Sequence, residues 1–367
     1  WLARLAIKTR YEFNAMRGES VRIGGRKVGA GAPVFIIAEA GVNHNGKLPL
    51  AKKLIDAAAL SGADAVKFQT FDPDELTTKA AGKARYQMAS EKRKETQHAM
   101  LRRLALKRKD FATLKSYAKK KGIVFLSTPF SLGDAMFLKK LGVPAIKVSS
   151  GDANNLPYLS RIAKWKLPLL LSTGMSDMAS VKESVTALRK AGNRKLIVLH
   201  CTTNYPAAAA EANLRAIETL RKELSVPVGF SDHTEGTVAA TAAVALGACV
   251  IEKHLTLDRR LPGPDHKASL TPGEFKALVR SIRYIEGALG TGKKTIFPSE
   301  RENAKIARKS VVTLRAVKKG ELFTEKSLGL KRPGTGLPPR EYARVIGARA
   351  TRDMLRDKLL KKDDYVR

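Results

Sequence analysis

Cysteine is nearly absent from this chain of 367 residues, which holds only Cys201 and Cys249. Two cysteines cannot build a disulfide framework. Both lie inside apolar, strand-like segments, where a reduced thiol behaves as a small hydrophobe. A reducing cytoplasm is the expected compartment. Long apolar runs are missing too: none approaches the roughly 20 residues a membrane span needs, so no membrane role is expected. The amino-terminal WLARLAIKTRYEF lacks the long apolar core and small-residue cleavage pattern of a signal peptide. Acidic residues are scarce, with 34 Asp and Glu against 68 Lys and Arg and a formal charge of +34. Such a field attracts anions of every kind, nucleic acid included. Yet aromatics are only 6% of the chain, and no helix-turn-helix cue, zinc-finger spacing or aromatic single-strand platform accompanies the basic stretch from Lys79 to Lys121. That stretch reads as a solvated basic surface, and a nucleic-acid partner is not expected.

What is present describes a globular protein, with 44% apolar and 28% charged residues. The length suits about two domains, or one large α/β barrel with an appendage. Short β-branched runs recur: VFIIAEAGVN, AVKFQTF, IVFLSTPF, AIKVSSGD, PLLLSTGM, KLIVLHCTTNYP, PVGFSDHT and CVIEKHLTLD. Between them lie stretches such as PLAKKLIDAAALSGA, with apolar residues at three- and four-residue spacing and an end at Gly or Asn, as amphipathic helices have. Eight strands alternating with helices give the fold class: an α/β protein with a (β/α)8 TIM barrel. A doubly wound sheet fits less well, because AEAGVNHNG after the first strand is not the Gly-rich phosphate loop that fold carries. The expected boundaries are an N-terminal extension over 1–30, the barrel over 31–290, a linker over 291–305 and a small β-rich domain over 306–367.

The segment VIEKHLTLD places Glu252, His254 and Thr256 on one face of a strand and Lys253, Leu255 and Leu257 on the other. In isolation it would read as a sheet edge with solvated charges. All eight candidate strands, however, begin apolar and end polar. Their ends carry Glu39 and Asn43; Lys67 and Gln69; Ser127 and Thr128; Lys147, Ser149 and Ser150. The later four end in Ser172 and Thr173; Thr202, Thr203 and Tyr205; Ser231, Asp232 and His233; Glu252 and His254. A closed barrel has no edges, and its catalytic groups sit at the carboxyl ends of the strands. Lys67 and Lys147, with the hydroxyls of Thr128, Ser150, Ser172 and Ser231, suit a phosphate and a carboxylate. His233 and His254 end neighbouring strands beside Glu39 and Glu252, which suits a divalent metal. The loop GPDHKASLTPGEF adds Asp265 and His266 over the same mouth. His44 is expected near the site, His200 as a satisfied core histidine and His98 on the surface.

Together IIAEAGVNHNG, DAVKFQT, FLSTPF, IKVSSGD, LLSTGM, HCTTNYP, GFSDHT, IEKHLTLD, GPDHKASL and the later ARKSVV and KRPG resemble the N-acetylneuraminate (sialic acid) synthase family. That family includes the legionaminate and pseudaminate synthases and the SpsE-type proteins. The resemblance implies a barrel followed by an antifreeze-like (SAF) β-clip domain, in a domain-swapped homodimer whose second domain covers the partner barrel. It implies condensation of phosphoenolpyruvate (PEP) with an N-acetylmannosamine-type sugar, giving a nine-carbon 2-keto acid and phosphate. Carried over by motif, His233 and His254 resemble ligands of Mn²⁺, with Mg²⁺ or Co²⁺ as alternatives. Lys67, Gln69, Thr128, Lys147, Ser150, Ser172 and Ser231 resemble PEP contacts. Glu39, Thr203, Tyr205 and Asp265 resemble sugar-side groups, with Arg332 reaching from the other subunit. Glu39, Glu252 and Asp265 are the expected catalytic carboxylates. The acceptor stays open among N-acetylmannosamine, its 6-phosphate and a trideoxy diacetamido sugar. Two rival functions are a 3-deoxy sugar-acid phosphate synthase and a catalytically silent carbohydrate- or polyanion-binding protein.

Overall fold

The computed structural model describes residues 19–90 and 94–367. Two compact units divide between Gly292 and Lys293. The first opens with a hairpin of β1 (Ser20–Ile23) and β2 (Arg26–Gly29). Eight parallel strands follow: β3 (Phe35–Gly41), β4 (Ala65–Thr70), β5 (Val124–Pro129), β6 (Ile146–Val148), β7 (Leu169–Ser172), β8 (Leu196–Cys201), β9 (Val228–Asp232) and β10 (Val250–His254). Their order in the sheet is β5-β4-β3-β10-β9-β8-β7-β6. The end strands β5 and β6 lie side by side and close the barrel. All eight expected strands form. They read clearly because strands covered on both faces are apolar almost throughout.

The connecting helices follow their sequence signals. Leu48–Leu60 starts with proline in its first turn. Pro272–Leu289 starts with the Glu274 carboxylate accepting from both Thr271 N and Thr271 Oγ1 at 2.8 Å, one half of a capping box. Leu132–Leu141 is capped by the Ser131 hydroxyl and stops at Gly142. The outward strand residues, among them Ile36, Val66, Val198 and Ile251, pack with these helices into the larger core.

The barrel interior has two zones. At the amino ends Phe35, Ile37, Ala65, Leu126, Ala145, Leu170, Ile197, Leu199 and Val250 form an apolar plug, joined by Val21, Ile23 and Val28 of the hairpin. Residues 20–29, expected as an extension, thus contribute to the barrel core. Toward the carboxyl ends the same inward positions turn polar.

The second unit has its own core of Val311, Val317, Phe323, Leu328, Leu337, Val345, Ala350, Met354 and Leu360. Two antiparallel pairs frame it: β11 (Ser310–Thr313) with β12 (Leu328–Lys331), and β13 (Arg349–Ala350) with β14 (Tyr365–Val366). The stretch expected as a linker runs into a helix over Pro298–Ala307. Among the described residues no helix is long and apolar enough to cross a membrane.

Candidate active site

Parallel register puts one inward side chain of each strand beside its neighbour's: Glu39 stands next to Lys67, Gln69 next to Thr128 and Glu252 next to Ser231. The result is a buried polar layer above the apolar plug. Lys67 Nζ lies 2.7 Å from Glu39 Oε2 and 3.7 Å from Glu252 Oε2, and it donates to Thr128 Oγ1 at 2.9 Å. Lys147 Nζ donates to Glu252 Oε1 at 3.1 Å, and Ser231 Oγ donates to the same oxygen at 2.8 Å. The two lysines and two glutamates are each at most 5% exposed. Isolated charges would be costly there, and mutual pairing offsets that cost.

The two carboxylates are driven apart. Burial pushes Glu39 up to about 7, although Lys67 opposes the shift. Burial would raise Glu252 as well, but Lys147 and Lys67 together outweigh it and hold that carboxyl at about 2. One glutamate can therefore take up a proton near neutrality while the other stays ionised, the division of labour that acid–base sites exploit. Gln69 Nε2 donates to Glu39 Oε1 at 3.4 Å. Ser172 Oγ is buried without a hydrogen-bond partner. Ser150 Oγ accepts from Gly174 N at 3.0 Å.

Above this layer stand the two histidines, ring centroids 5.5 Å apart. His233 Nδ1 donates to Thr202 O at 2.7 Å, which leaves Nε2 open. His254 Nδ1 is buried with no hydrogen-bond partner, 3.9 Å from Asp265 Oδ2. Burial, then the nearby His233 and Lys67, holds the His254 imidazole well below its usual range. Burial pushes Asp265 up to about 6. The Tyr205 ring lies 4.0 Å from His233 and 5.5 Å from His254. Thr203 Oγ1 is buried without a hydrogen-bond partner.

A divalent ion needs unprotonated imidazole nitrogens. His254, held low and with an orphaned Nδ1, fits that requirement, whereas in His233 burial is outweighed by the neighbouring Cys201 thiol and the ring is pushed up, its Nδ1 donating to Thr202 O. Among the described residues no set of three or more His, Cys, Asp and Glu side chains gathers where it could hold a metal ion.

Of the expected site residues, Arg332 alone lies in the second unit, just past β12. The others share the carboxyl end of the barrel. Several neighbouring expectations need correction. Asp232 faces outward and pairs with Lys253 at 2.8 Å. Ser127 bonds to Thr70 behind the strands. His44, expected near the site, packs against the ring of Phe68 on the outward side of β4. His266 is fully buried and ties Thr256 to Asn45, holding the loop after β10 instead of facing the site. His98 is buried and bonds to Asp74 at 2.7 Å, so it is not a surface residue. His200 is satisfied in the core by Ala212 O, as expected.

Two residues of the mouth were not singled out. Cys201, expected as a core hydrophobe, lies 3.7 Å from both Ser150 Oγ and His233 Nδ1. Its position two residues after the inward Leu199 was the available signal. Tyr86 comes from the long excursion after β4, its ring 4.8 Å from that of Tyr205. No sequence signal marked it.

The chain matches the NeuB family over residues 54–294 and a SAF domain over residues 308–366. The N,N'-diacetyllegionaminic acid synthase of Campylobacter jejuni is 47% identical over 330 residues, covering 89% of this chain and 99% of the relative. The enzyme of the same name from Legionella pneumophila is 46% identical, covering 92% and 96%. Among solved structures, the N-acetylneuraminic acid (sialic acid) synthetase of Leptospira borgpetersenii, crystallised with citrate, is 36% identical. It superposes with a TM-score of 0.70 over 78% of this chain and 95% of its own. A barrel with this charged mouth, followed by a SAF domain, belongs to the NeuB family of sialic-acid-type synthases.

Proposed function

We propose that this protein condenses PEP with a 2-acetamido sugar, forming a nine-carbon 2-keto sugar acid and releasing phosphate by C–O cleavage. The observation that carries this is the buried layer of Lys67, Lys147, Glu39 and Glu252 beneath two open imidazoles, at the catalytic end of a NeuB-family barrel. The two relatives above are named for diacetyllegionaminic acid, which favours a trideoxy diacetamido sugar as acceptor.

PEP carries a carboxylate and a phosphate, and the mouth supplies two cations and converging donors for them. Lys67 and Lys147 would bind these anionic groups with Gln69, Thr128, Ser150, Ser172 and Ser231, and their burial keeps competing water away. Tyr205, Thr203 and Asp265 line the sugar side. A divalent ion, Mn²⁺ by preference with Mg²⁺ or Co²⁺ as alternatives, would be held by His233 and His254 and, when bound, supplies Lewis-acid polarisation of the acceptor's aldehyde.

C3 of PEP attacks that aldehyde carbon; the new C–C bond leaves C2 electron-poor, and the aldehyde oxygen, now an alkoxide, takes a proton from solvent. Glu252, held ionised by its lysines, stabilises the positive character at C2. Glu39 accepts a proton from the water that adds there, a role suited to a carboxyl near 7. Collapse of the adduct expels phosphate and leaves the ketone. We further propose a cytoplasmic homodimer in which Arg332 of a second copy reaches the sugar.

The test is phosphate release from PEP with each candidate sugar, with and without Mn²⁺. Release with none of them overturns the reading. His254→Ala should abolish metal-dependent turnover while the melting temperature holds, and undiminished turnover would remove His254 from the metal site.

A further inference from the structure

Lys253 and Asp232 form an ion pair at 2.8 Å with both side chains 0% exposed. It sits on the outward face of β9 and β10, where Phe230, Ile251 and Leu255 belong to the apolar layer between barrel and helices. Nothing in that layer calls for charge, and apolar side chains of similar size would fill it at no greater cost. What an apolar pair could not supply is direction. Asp232 Oδ1 accepts from both Thr234 N and Thr234 Oγ1 at 2.8 Å, while Oδ2 accepts from Lys253. Lys253 also donates to Thr234 O.

The sequence positions give these bonds their meaning. Asp232 and Thr234 flank His233, and Lys253 immediately precedes His254. Lys253 and Asp232 are also Cα partners in the β9–β10 ladder. Three side chains behind the strands therefore clamp the backbone on both sides of one imidazole to the residue before the other. On the opposite side His233 is held twice more, its carbonyl accepting from Ala207 N at 2.9 Å and its ring donating to Thr202 O.

We propose that Lys253, Asp232 and Thr234 are positioning residues that set the separation and aim of the His233 and His254 imidazoles, and through them the affinity for the divalent ion. The inference rests on the reading that those two histidines hold that ion. Residues that orient metal ligands without touching the metal typically change affinity by about 10–100-fold when replaced.

The experiment measures Mn²⁺ binding to the full chain, without PEP or sugar, by the electron paramagnetic resonance signal of free Mn²⁺, alongside thermal melting. The variant is Lys253→Met with Asp232→Asn, which removes both charges together and keeps an acceptor for Thr234. A dissociation constant raised about 10–100-fold in a folded variant supports the proposal. Thr234→Val, which keeps the ion pair and removes one bond, should give a smaller weakening in the same direction and serves where the double variant does not fold. Wild-type affinity in a folded variant overturns the proposal and shows the pair to be structural only. If the wild-type chain itself binds no Mn²⁺, the metal reading falls and takes this inference with it, a result visible before any substitution is made.

Discussion

Lys147 Nζ and Glu252 Oε1 meet at 3.1 Å inside a closed barrel, each side chain 5% exposed. Glu252 also faces Lys67 at 3.7 Å, so it serves two cations at once. Removing one partner of a buried pair costs about 3 kcal/mol or more where the other is left uncompensated. Lys147→Met leaves Glu252 with Lys67 as its cation, so it should lower the unfolding free energy by less than that amount, as read by denaturant titration. Adding Glu252→Gln should recover part of it, because the two changes remove opposite charges from one network. Strict additivity of the two losses would show that the pair is not coupled. Both variants should lose turnover with PEP.

The His44 imidazole is pushed down to about 4 by burial from an ordinary value of 6.5. Below pH 6.5 the unfolded chain gains a proton there that the folded chain accepts only near pH 4. The residue's contribution is therefore whole above pH 6.5 and is lost as pH falls toward 4, with a slope of up to about 1.4 kcal/mol per pH unit. Glu39 and Asp265, both raised, act in the opposite sense, losing stability as pH rises through about 7 and 6. The readout is consequently a difference. His44→Asn, whose side-chain oxygen can replace Nδ1 as acceptor for Gly46 N, should gain on the wild type steadily between pH 6.5 and 4. A pH-independent gap between the two would refute the shift.

A methyl group at Gly174 would overlap Thr203 Oγ1 and stand 2.8 Å from Ser150 Oγ. Both obstacles are side-chain hydroxyls at the mouth, not core backbone. Gly174→Ala should therefore spare the fold and displace the hydroxyls. Misplacing groups by about 1 Å can cost about 100-fold in rate, so kcat/KM should drop by about 10–100-fold with the melting temperature nearly unchanged. A large fall in melting temperature without a kinetic defect would contradict the placement.

Much of this arrangement is written into the sequence at two-residue spacing. Glu39, Lys67, Lys147 and Glu252 interrupt otherwise apolar strands two residues beyond inward apolar positions, so parity alone predicts that they face the same interior. Parity also separates Lys253 from His254, but it does not tell a solvated charge from a buried pair; that depended on which helices cover the outer face. His98 shows the same limit, since its partner Asp74 comes from a separate short helix. Tyr86 was hidden for another reason: it lies in a six-residue helix, Arg85–Ser90, too short for an apolar periodicity to direct it over the mouth.

The hairpin at the barrel floor is legible in the sequence. SVRIGGRKVG alternates apolar Val21 and Ile23 with polar neighbours, then turns at Gly24 and Gly25, both with positive φ, as a two-residue hairpin turn requires. Its apolar side closes the bottom of the barrel, where Ile23 and Val28 are fully buried among Phe35, Leu126 and Val250. If the hairpin is part of the core, Ile23→Ala should behave as a core truncation and cost about 2–5 kcal/mol. If it is a dispensable extension, the cost should be no greater than for Leu355→Ala, which trims a side chain that is 79% exposed. Denaturant unfolding of the two variants decides between these outcomes. Because Ile23 lies at the end opposite Glu39 and His254, kcat per folded molecule should be unchanged, so that a loss of stability and a loss of chemistry fall on different ends of one barrel.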